Sequence, residues 1–463
     1  MERDCNVINA RCVFENGSRV CNLMIRQGTI VKILPVSEKP EPCKEEIDAS
    51  GYLVMPGMID SHVHIRGGEF SYREDFSSGS KAALSAGVTT ILEMPGCAKP
   101  ATTLENYQIR VTEVKDNGYT DFGMYGGAGG DNLEEIPRIA AAGAIGFKTF
   151  QMEPVKGRER EFYGLCAQTY EDMVKVMEAI KKTGLTLTVH CENQHMIDEL
   201  VPVMKEKYGE SLRGFIESRP PEAEISSAEL TIRAAKETGC RTIIAHVSTP
   251  QTIAMIQKAR QEGYEVYAET CAHYLTFDKE EMIPFGVFAR MKPPFRDRIL
   301  VDELVKCLAK GQIDIIGSDH APFTREEKLR NGENVWTSVD GLYGLELSFP
   351  LLLRLVEIGK LTYEMLIECF SRKTADIFGL SKKGRIAEGC DADLVFVEKG
   401  PSINLFEKEK MLCKCRDCAV IYDGVPTRHK IVMTMRHGSI CYKDGIVQTK
   451  GQHAEILKGK GAR

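Results

Sequence analysis

The sequence lacks any uninterrupted apolar run long enough to span a bilayer, and residues 1–5 contain no apolar stretch of the kind found in secretory signals. An excess of basic residues is also missing, since the 463-residue chain has a formal net charge of -6. A strongly basic face, which nucleic-acid binding requires, is therefore not expected. Together these absences predict a soluble, cytoplasmic protein that has neither a membrane nor a nucleic acid as a partner.

Cysteine is plentiful, but the patterns that would indicate disulfides or a zinc ribbon are absent. The 16 cysteines are scattered through a long chain without a secretory signal, so we expect reduced and mostly buried thiols. The one dense cluster is Cys413, Cys415 and Cys418. No second cysteine or histidine pair accompanies it at zinc-ribbon spacing, so a structural metal is not expected there.

Residues 57–383 alternate short apolar runs with amphipathic stretches, a pattern typical of strand–helix units. The stretches 171–182 and 226–236 carry apolar residues at three- and four-residue spacing, as a helix with one buried face does. Eight strand–helix units predict an α/β fold of the closed (β/α)8 TIM barrel type. The predicted strands are 58–65, 89–94, 120–125, 144–150, 185–191, 242–247, 265–270 and 313–318.

The two ends of the chain have a different, all-β character. Residues 1–56 contain alternating apolar runs around Asn16-Gly17, which is a strong hairpin signal. Neither end is large enough to bury a core alone. We therefore expect residues 1–56 and 384–463 to form one small β-sandwich domain beside the barrel, the latter range ending in a polar tail. Between barrel and C-terminal segment, residues 319–341 are predicted to be a long loop.

The most informative stretch is the first barrel strand, which contains His62 and His64. Side chains alternate between the two faces of a strand, so both imidazoles point the same way and Val63 points the other way. They lie toward the carboxyl end of the strand, where TIM barrels place their chemistry. With 10 histidines in the chain, one such pair is weak evidence alone. The test is whether later strands end in further metal ligands.

Four later strands do carry metal-compatible side chains. Strand five contains His190 near its end, strand six contains His246 near its end, and strand eight is followed by Asp319. Lys148 lies within apolar strand four, where a bare ammonium group is expensive to bury. Carbamylation by CO2 would convert it to an anion with two oxygens for bridging two metal ions. The alternative is an ordinary lysine paired with a carboxylate.

With these residues in place, the sequence resembles the cyclic amidohydrolases of the amidohydrolase superfamily, namely allantoinases, dihydroorotases and hydantoinases or dihydropyrimidinases. The resemblance covers nearly the whole chain. It is carried by His62-Val-His64, Gly146-Phe-Lys148, Val189-His-Cys-Glu-Asn193, Ser218-Arg-Pro220, Ala245-His-Val-Ser248, Ser318-Asp-His-Ala-Pro322 and Gly384-Arg-Ile-Ala-Glu-Gly389.

The resemblance implies two divalent metal ions, usually Zn²⁺, and a small cyclic amide as substrate. His62 and His64 would hold one ion and His190 and His246 the other, with carbamylated Lys148 bridging both. Asp319 would ligate the first ion and carry the proton during hydrolysis of the ring amide. The resemblance also implies a homo-oligomer, either a dimer or a tetramer.

The sequence indicates less clearly which cyclic amide is the substrate. Arg66 matches the arginine that binds the substrate carboxylate in dihydroorotases, whereas Gly96 stands where those enzymes usually have a carboxylate-binding asparagine. The motif Glu269-Thr-Cys-Ala-His-Tyr274, whose His273 is an expected substrate contact, looks more like allantoinases. An allantoinase-like ureide hydrolase is favoured, with a dihydroorotase and a hydantoinase or dihydropyrimidinase as alternatives.

Lys292 departs from all three groups, which commonly have asparagine or serine at this position. Together with Arg66, it would make a doubly cationic pocket suited to an acidic substrate. The alternative is a lysine that points to solvent from the loop stiffened by Pro293 and Pro294.

Two other classes of function remain open on the same fold. A scaffold protein derived from hydantoinases would have lost its metal ligands, but all six positions are intact here. A mononuclear deaminase would lack the bridging lysine and carry a His-x-x-Glu element, which is not found at a strand end. The metal content separates the three classes: about two ions per chain for the hydrolase, one for the deaminase and none for the scaffold.

Overall fold

The structure is a computed structural model that describes residues 4–155 and 157–459. Its first five strands are β1 (Cys5–Phe14), β2 (Gly17–Arg26), β3 (Thr29–Pro35), β4 (Glu45–Asp48) and β5 (Leu53–Pro56). In the first hairpin Phe14 lies opposite Gly17, so the two loop residues are Glu15 and Asn16. The turn is thus one residue earlier than the Asn16-Gly17 prediction, because Gly17 already pairs with β1.

Eight parallel strands follow in sequence order and form the barrel wall. They are β6 (Met58–Val63), β7 (Val88–Glu93), β8 (Asp121–Gly127), β9 (Gly146–Gln151), β10 (Leu187–Cys191), β11 (Thr242–Ile244), β12 (Val266–Cys271) and β13 (Ile315–Gly317). Each strand pairs with the next in the chain. All eight predicted strands are present, with ends shifted by a few residues, and the TIM-barrel prediction is confirmed.

The barrel closes between its first and last strands. The backbone N–H of His64 donates to the carbonyl of His320 at 2.8 Å, and Val63 forms a parallel bridge with His320. The carboxylate of Asp60 on β6 also accepts from the backbone N–H of Ser318 at 2.9 Å. These bonds bring the ends of β6 and β13, with their histidines and Asp319, to the same part of the barrel rim.

The remaining strands come from the C-terminal part of the chain. They are β14 (Arg330–Glu333), β15 (Leu394–Asn404), β16 (Pro426–Arg436), β17 (Ser439–Lys443), β18 (Ile446–Val447) and β19 (Ile456–Leu457). Strands from both ends build one nine-stranded sheet in the order β18-β17-β16-β15-β5-β1-β2-β3, with β4 also paired to β1. The expectation that both ends share one β unit is thus confirmed. The last strand, β19, instead pairs with barrel strand β8.

The helices connect the barrel strands and cover their outer face. They are α1 (Phe76–Ser85), α2 (Leu104–Asn117), α3 (Glu135–Ala141), α4 (Glu159–Phe162), α5 (Tyr170–Lys181), α6 (Gln194–Tyr208), α7 (Leu212–Glu217), α8 (Pro221–Thr238), α9 (Pro250–Gln261), α10 (Lys279–Met282), α11 (Arg298–Ala309), α12 (Arg325–Lys328), α13 (Ser348–Glu357), α14 (Tyr363–Ile367) and α15 (Lys373–Phe378). Within the described ranges, no helix combines the length and apolar character needed to cross a membrane.

Local sequence explains where α5 begins and which face it buries. The side chain of Thr169 accepts from the backbone of Asp172, whose side chain accepts in return from the backbone of Thr169. The helix then buries Met173, Val176 and Ile180, spaced by three and four residues, against the barrel core.

Two further sequence expectations can be compared with the structure. The segment 319–341 is not simply a loop, because it contains α12 and β14. All 16 cysteines lie in the described residues as free thiols, and all except Cys43 and Cys307 are buried. The expectation of reduced, mostly buried thiols agrees with this arrangement.

A buried cluster of charges joins the barrel to the β unit. Asp121, at the start of β8, accepts from Lys383, from Arg436 and, at 2.9 Å, from the ring of His437. Lys383 also lies 2.8 Å from the carboxylate of Asp393. Burial alone would raise the pKa of Asp121, but the neighbouring cations hold it well below its ordinary range. The cluster is stable only while its positive and negative groups remain matched.

We predict that Lys383→Met lowers the free energy of unfolding by about 3–5 kcal/mol, because buried carboxylates lose their shared cation. Urea denaturation followed by circular dichroism measures the change. The control is Lys306→Met, which removes an exposed lysine 2.7 Å from Glu303 and should change stability by less than about 0.5 kcal/mol. Equal stability of the two variants would contradict the assignment of Lys383 as the shared cation.

Candidate functional site

His62, His64 and Asp319 form one group at the closed seam of the barrel. The Nε2 atoms of His62 and His64 lie 3.4 and 3.5 Å from Oδ1 of Asp319. Their ligand atoms all lie within 4.8 Å of one another, which is compatible with a single bound cation. Two imidazoles and one carboxylate are a donor set that zinc accepts.

His190 and His246 form a second group beside the first. Nδ1 of His190 lies 3.0 Å from Nε2 of His246. Two nitrogens bound to one tetrahedral zinc ion at about 2.05 Å would be separated by about 3.3 Å, so the observed spacing suits a shared ion. The ring centroids of His62 and His246 are 5.4 Å apart, which places the two groups side by side.

Three of the histidines, His64, His190 and His246, are held in the neutral form that metal binding requires. Burial lowers the pKa of His64 to about 3. The pKa values of His190 and His246 are also lowered, again mainly by burial. Burial would raise the pKa of Asp319, but the surrounding histidines hold it well below its ordinary range, so this carboxylate is ionised.

Two of these residues have a backbone conformation that is rare outside glycine. His246 has φ of 37° and Asp319 has φ of 47°, both in the left-handed region. Each lies two residues after the end of a three-residue strand, β11 and β13 respectively. Such residues cost about 1–2 kcal/mol each and cluster at functional sites.

Lys148, on β9, has no counter-ion among the residues that the structure describes. Its side chain is fully buried, Nζ has no hydrogen-bond partner, and no carboxylate of the described residues lies within 4.0 Å of it. The nearest ring is that of Phe150, whose centroid is 5.0 Å from Nζ. Burial lowers the pKa of Lys148 to about 8, against the opposing influence of Glu269 and Asp319. The neutral amine is therefore more accessible near neutral pH than that of an ordinary exposed lysine.

Glu269 on β12 fixes the ring of His62. Its Oε1 lies 2.6 Å from Nδ1 of His62, and its Oε2 accepts from the hydroxyl of Ser61 at 2.9 Å. This contact places the proton of His62 on Nδ1 and leaves Nε2 free on the side of Asp319. A carboxylate behind a histidine ligand commonly orients it and increases its basicity.

Glu192 orients the ring of His190 through Nε2, whereas Glu269 contacts Nδ1 of His62. Its Oε2 lies 3.2 Å from Nε2 of His190 and accepts from Arg219 at 2.9 Å. Nδ1 of His190 is therefore the nitrogen left to face His246. Sequence reasoning did not assign a role to Glu192 or Glu269, although both lie within motifs that carry the family resemblance. Their spacing along the chain alone does not show which histidine each one contacts.

A cavity of about 100 Å³ opens over these residues. The expected substrate contacts Arg66, Gly96 and Lys292 line it together with all six expected metal ligands. His273 does not line it, because its ring packs against Tyr274 and Phe295, with centroid separations of 4.4 and 5.9 Å. The role of His273 as a substrate contact stays a prediction.

The cavity wall also contains charged residues that sequence reasoning did not identify. Arg158 pairs with Glu161 through two hydrogen bonds of 2.8 Å. Nζ of Lys292 lies 3.0 Å from Asp340. Arg66 donates to the carbonyl of Gly96 at 3.2 Å, but no carboxylate of the described residues lies within 4.0 Å of it.

Comparison with known proteins agrees with this geometry. The Amidohydrolase family matches residues 53–441. The chain is 31% identical to an allantoinase of Salmonella choleraesuis (strain SC-B67) over 446 residues, which cover 96% of each protein. It is also 31% identical to an L-hydantoinase of Paenarthrobacter aurescens, covering 96% of this chain and 95% of that protein.

Solved structures of hydantoinases superpose on nearly the whole chain. The L-hydantoinase (dihydropyrimidinase) from Arthrobacter aurescens superposes with a TM-score of 0.93 at 30% identity, covering 98% of this chain and 99% of the other. A D-hydantoinase (dihydropyrimidinase) from a Thermus species superposes with a TM-score of 0.87 at 25% identity, covering 99% of both chains. The chain therefore belongs to the amidohydrolase family, within its group of cyclic amidohydrolases.

Proposed function

We propose that this protein is a metal-dependent hydrolase that opens the ring of a cyclic ureide by cleaving an amide C–N bond. Two divalent ions, preferably Zn²⁺, would be held by the four histidines, Asp319 and Lys148. The observation that carries the proposal is the buried amine of Lys148, which lies among metal-compatible side chains without a partner of its own. A buried cation without a counter-ion is unfavourable unless its chemistry changes.

Carbamylation supplies that change. The neutral amine of Lys148 adds to the carbon of CO2, an N–C bond forms, and loss of one proton leaves an anionic carbamate. The carbamate would offer two oxygens as metal ligands. His62 and His64 would hold the first ion with Asp319, and His190 and His246 the second.

When bound, such a pair of ions lowers the pKa of a water molecule and polarises a carbonyl group. The carbamate and Asp319 balance two of the four positive charges, so the site remains receptive to the negative charge that develops on the carbonyl oxygen. Imidazoles that bind a metal ion do so in the neutral form, which agrees with the lowered pKa values of His64, His190 and His246.

Asp319 is suited to move the proton. Its carboxylate is ionised and lies within the cavity, so it can accept a proton from the attacking water. As water adds to the ring carbonyl carbon and the C–N bond breaks, the same carboxyl group returns the proton to the leaving nitrogen. The product is a ring-opened acid.

The allantoinase and hydantoinase relatives support a neutral five-membered ureide as the substrate. A second candidate, a dihydroorotase-like activity on an acidic ring, is favoured by one observation. Arg66 lines the cavity and has no carboxylate partner among the described residues, so its charge is available to a substrate anion. The expectations of a cytoplasmic location and of a homodimer or homotetramer rest on the sequence and the family resemblance.

Protein loaded with zinc and bicarbonate should hydrolyse at least one of allantoin, hydantoin, dihydrouracil and dihydroorotate when the four are compared side by side by chromatography. Asp319→Asn should lower the rate on that ring by a factor of about 100 or more, because proton transfer is lost. Asp302→Asn, in an exposed pair with Lys360, is the control and should retain the full rate. No ring opening above the Asp319→Asn level would contradict the proposed reaction.

We further predict that Glu269→Gln weakens binding of one zinc ion by a factor of about 10–100, because His62 loses the carboxylate that orients it. Chelator competition measures the affinities of both sites. Glu265→Gln, just before the same strand and exposed, should leave both affinities unchanged. Unchanged zinc affinity in Glu269→Gln would show that the His62 contact is not needed for metal binding.

A further inference from the structure

Lys292 belongs to an ion-pair network of three residues that extends from the protein interior into the catalytic cavity. Nζ of Lys292 lies 3.0 Å from Oδ2 of Asp340, and a guanidinium nitrogen of Arg290 lies 3.2 Å from Oδ1. One carboxylate is therefore shared by two cations, which leaves one positive charge in excess. Lys292 and Asp340 line the cavity, whereas Arg290 is buried behind them.

The backbone that carries these residues is fixed by another buried lysine. Nζ of Lys328 donates to the carbonyls of Val339 and Gly341, on either side of Asp340, at 3.2 and 2.7 Å. It also contacts the carbonyl of Arg290 at 3.4 Å. Gly341 in turn donates its N–H to Arg290 at 3.1 Å. The backbone on both sides of Asp340, which pairs with Lys292, is therefore fixed without a ligand.

Apart from Asp319 and Lys148, which belong to the expected metal site, the other charges of the cavity wall do not remove this excess. Arg158 is matched by Glu161. Arg66 adds a further positive charge without a carboxylate partner among the described residues. A cavity with excess positive charge binds an anion better than a neutral molecule of the same shape.

From this arrangement we infer that Lys292 is a specificity-determining residue that binds a carboxylate group on the substrate, so that the preferred substrates are cyclic ureides carrying an acidic substituent. The inference rests on the proposed ring-opening function and deepens it. Asp340 acts as a positioning residue that holds the ammonium group toward the ring. Because Asp340 is shared with Arg290, its presence does not cancel the attraction of Lys292 for an anion.

The test compares two substrates that differ only in charge: 5-carboxymethylhydantoin and its carboxamide, 5-carbamoylmethylhydantoin. Lys292→Met should lower kcat/KM for the acid by a factor of about 10–100, mainly through KM, because a charge-assisted contact is lost. For the carboxamide the change should be less than about threefold. Lys292→Arg should recover most of the preference for the acid, since the positive charge is retained.

The matched control is Lys279→Met. The side chain of Lys279 is 14% exposed, close to the 16% of Lys292, and it lies 2.9 and 3.0 Å from two carboxylates outside the cavity. Its removal should affect the acid and the carboxamide equally and slightly. Circular dichroism of each variant verifies folding, and Lys292→Gln replaces the methionine variant if the latter does not fold.

Equal losses for the acid and the carboxamide in Lys292→Met, or no loss for either, would overturn the inference while leaving the proposed function intact. If the wild-type protein opens neither ring, the failure concerns the proposed function on hydantoins. Calorimetric titration with both compounds then tests the inference without turnover. A preference for the acid that is present in the wild type and lost in Lys292→Met supports it, and the absence of such a preference overturns it.

Discussion

The burial of Lys148 is the constraint on which the arrangement of the site depends. Its fully enclosed amine has no hydrogen-bond partner, and the residues around it are histidines and a carboxylate rather than an ion-pair partner. Burial makes the charged form of this lysine less favourable than in water and lowers its pKa to about 8. As a carbamate, Lys148 would instead carry a negative charge, opposite in sign to the two cations that it would bridge.

The rest of the barrel holds the partners of Lys148 in place. Closure of β6 against the segment after β13 brings His62 and His64 to Asp319. Glu269 and Glu192 then fix opposite nitrogens of His62 and His190, so that each ring presents one defined nitrogen. This organisation keeps several polar groups buried and two residues in strained backbone conformations, a cost that the many apolar contacts of the barrel offset.

Much of this architecture could be predicted from the sequence, because the periodic apolar runs identify the eight strands and parallel strands present their carboxyl ends at one rim. The six metal-compatible residues follow from that rule. The contacts of Glu269 and Asp340 could not be predicted in this way, since they depend on which rotamers and loop conformations bring distant residues together. Asp340 lies in the segment 319–341, whose short helix α12 and strand β14 show no clear periodic pattern of apolar residues. The pairing of β19 with β8 could not be predicted either, because it too brings together residues that are distant in the chain.

The most direct test of the central claim is the chemical state of Lys148 in the metal-loaded protein. The protein would be reconstituted with zinc and ¹³C-labelled bicarbonate and examined by carbon NMR and metal analysis. The account predicts one carbamate resonance in the wild type, together with about two zinc ions per chain, and loss of that resonance in Lys148→Met. Two bound zinc ions without a carbamate resonance, or a resonance that persists in Lys148→Met, would contradict it.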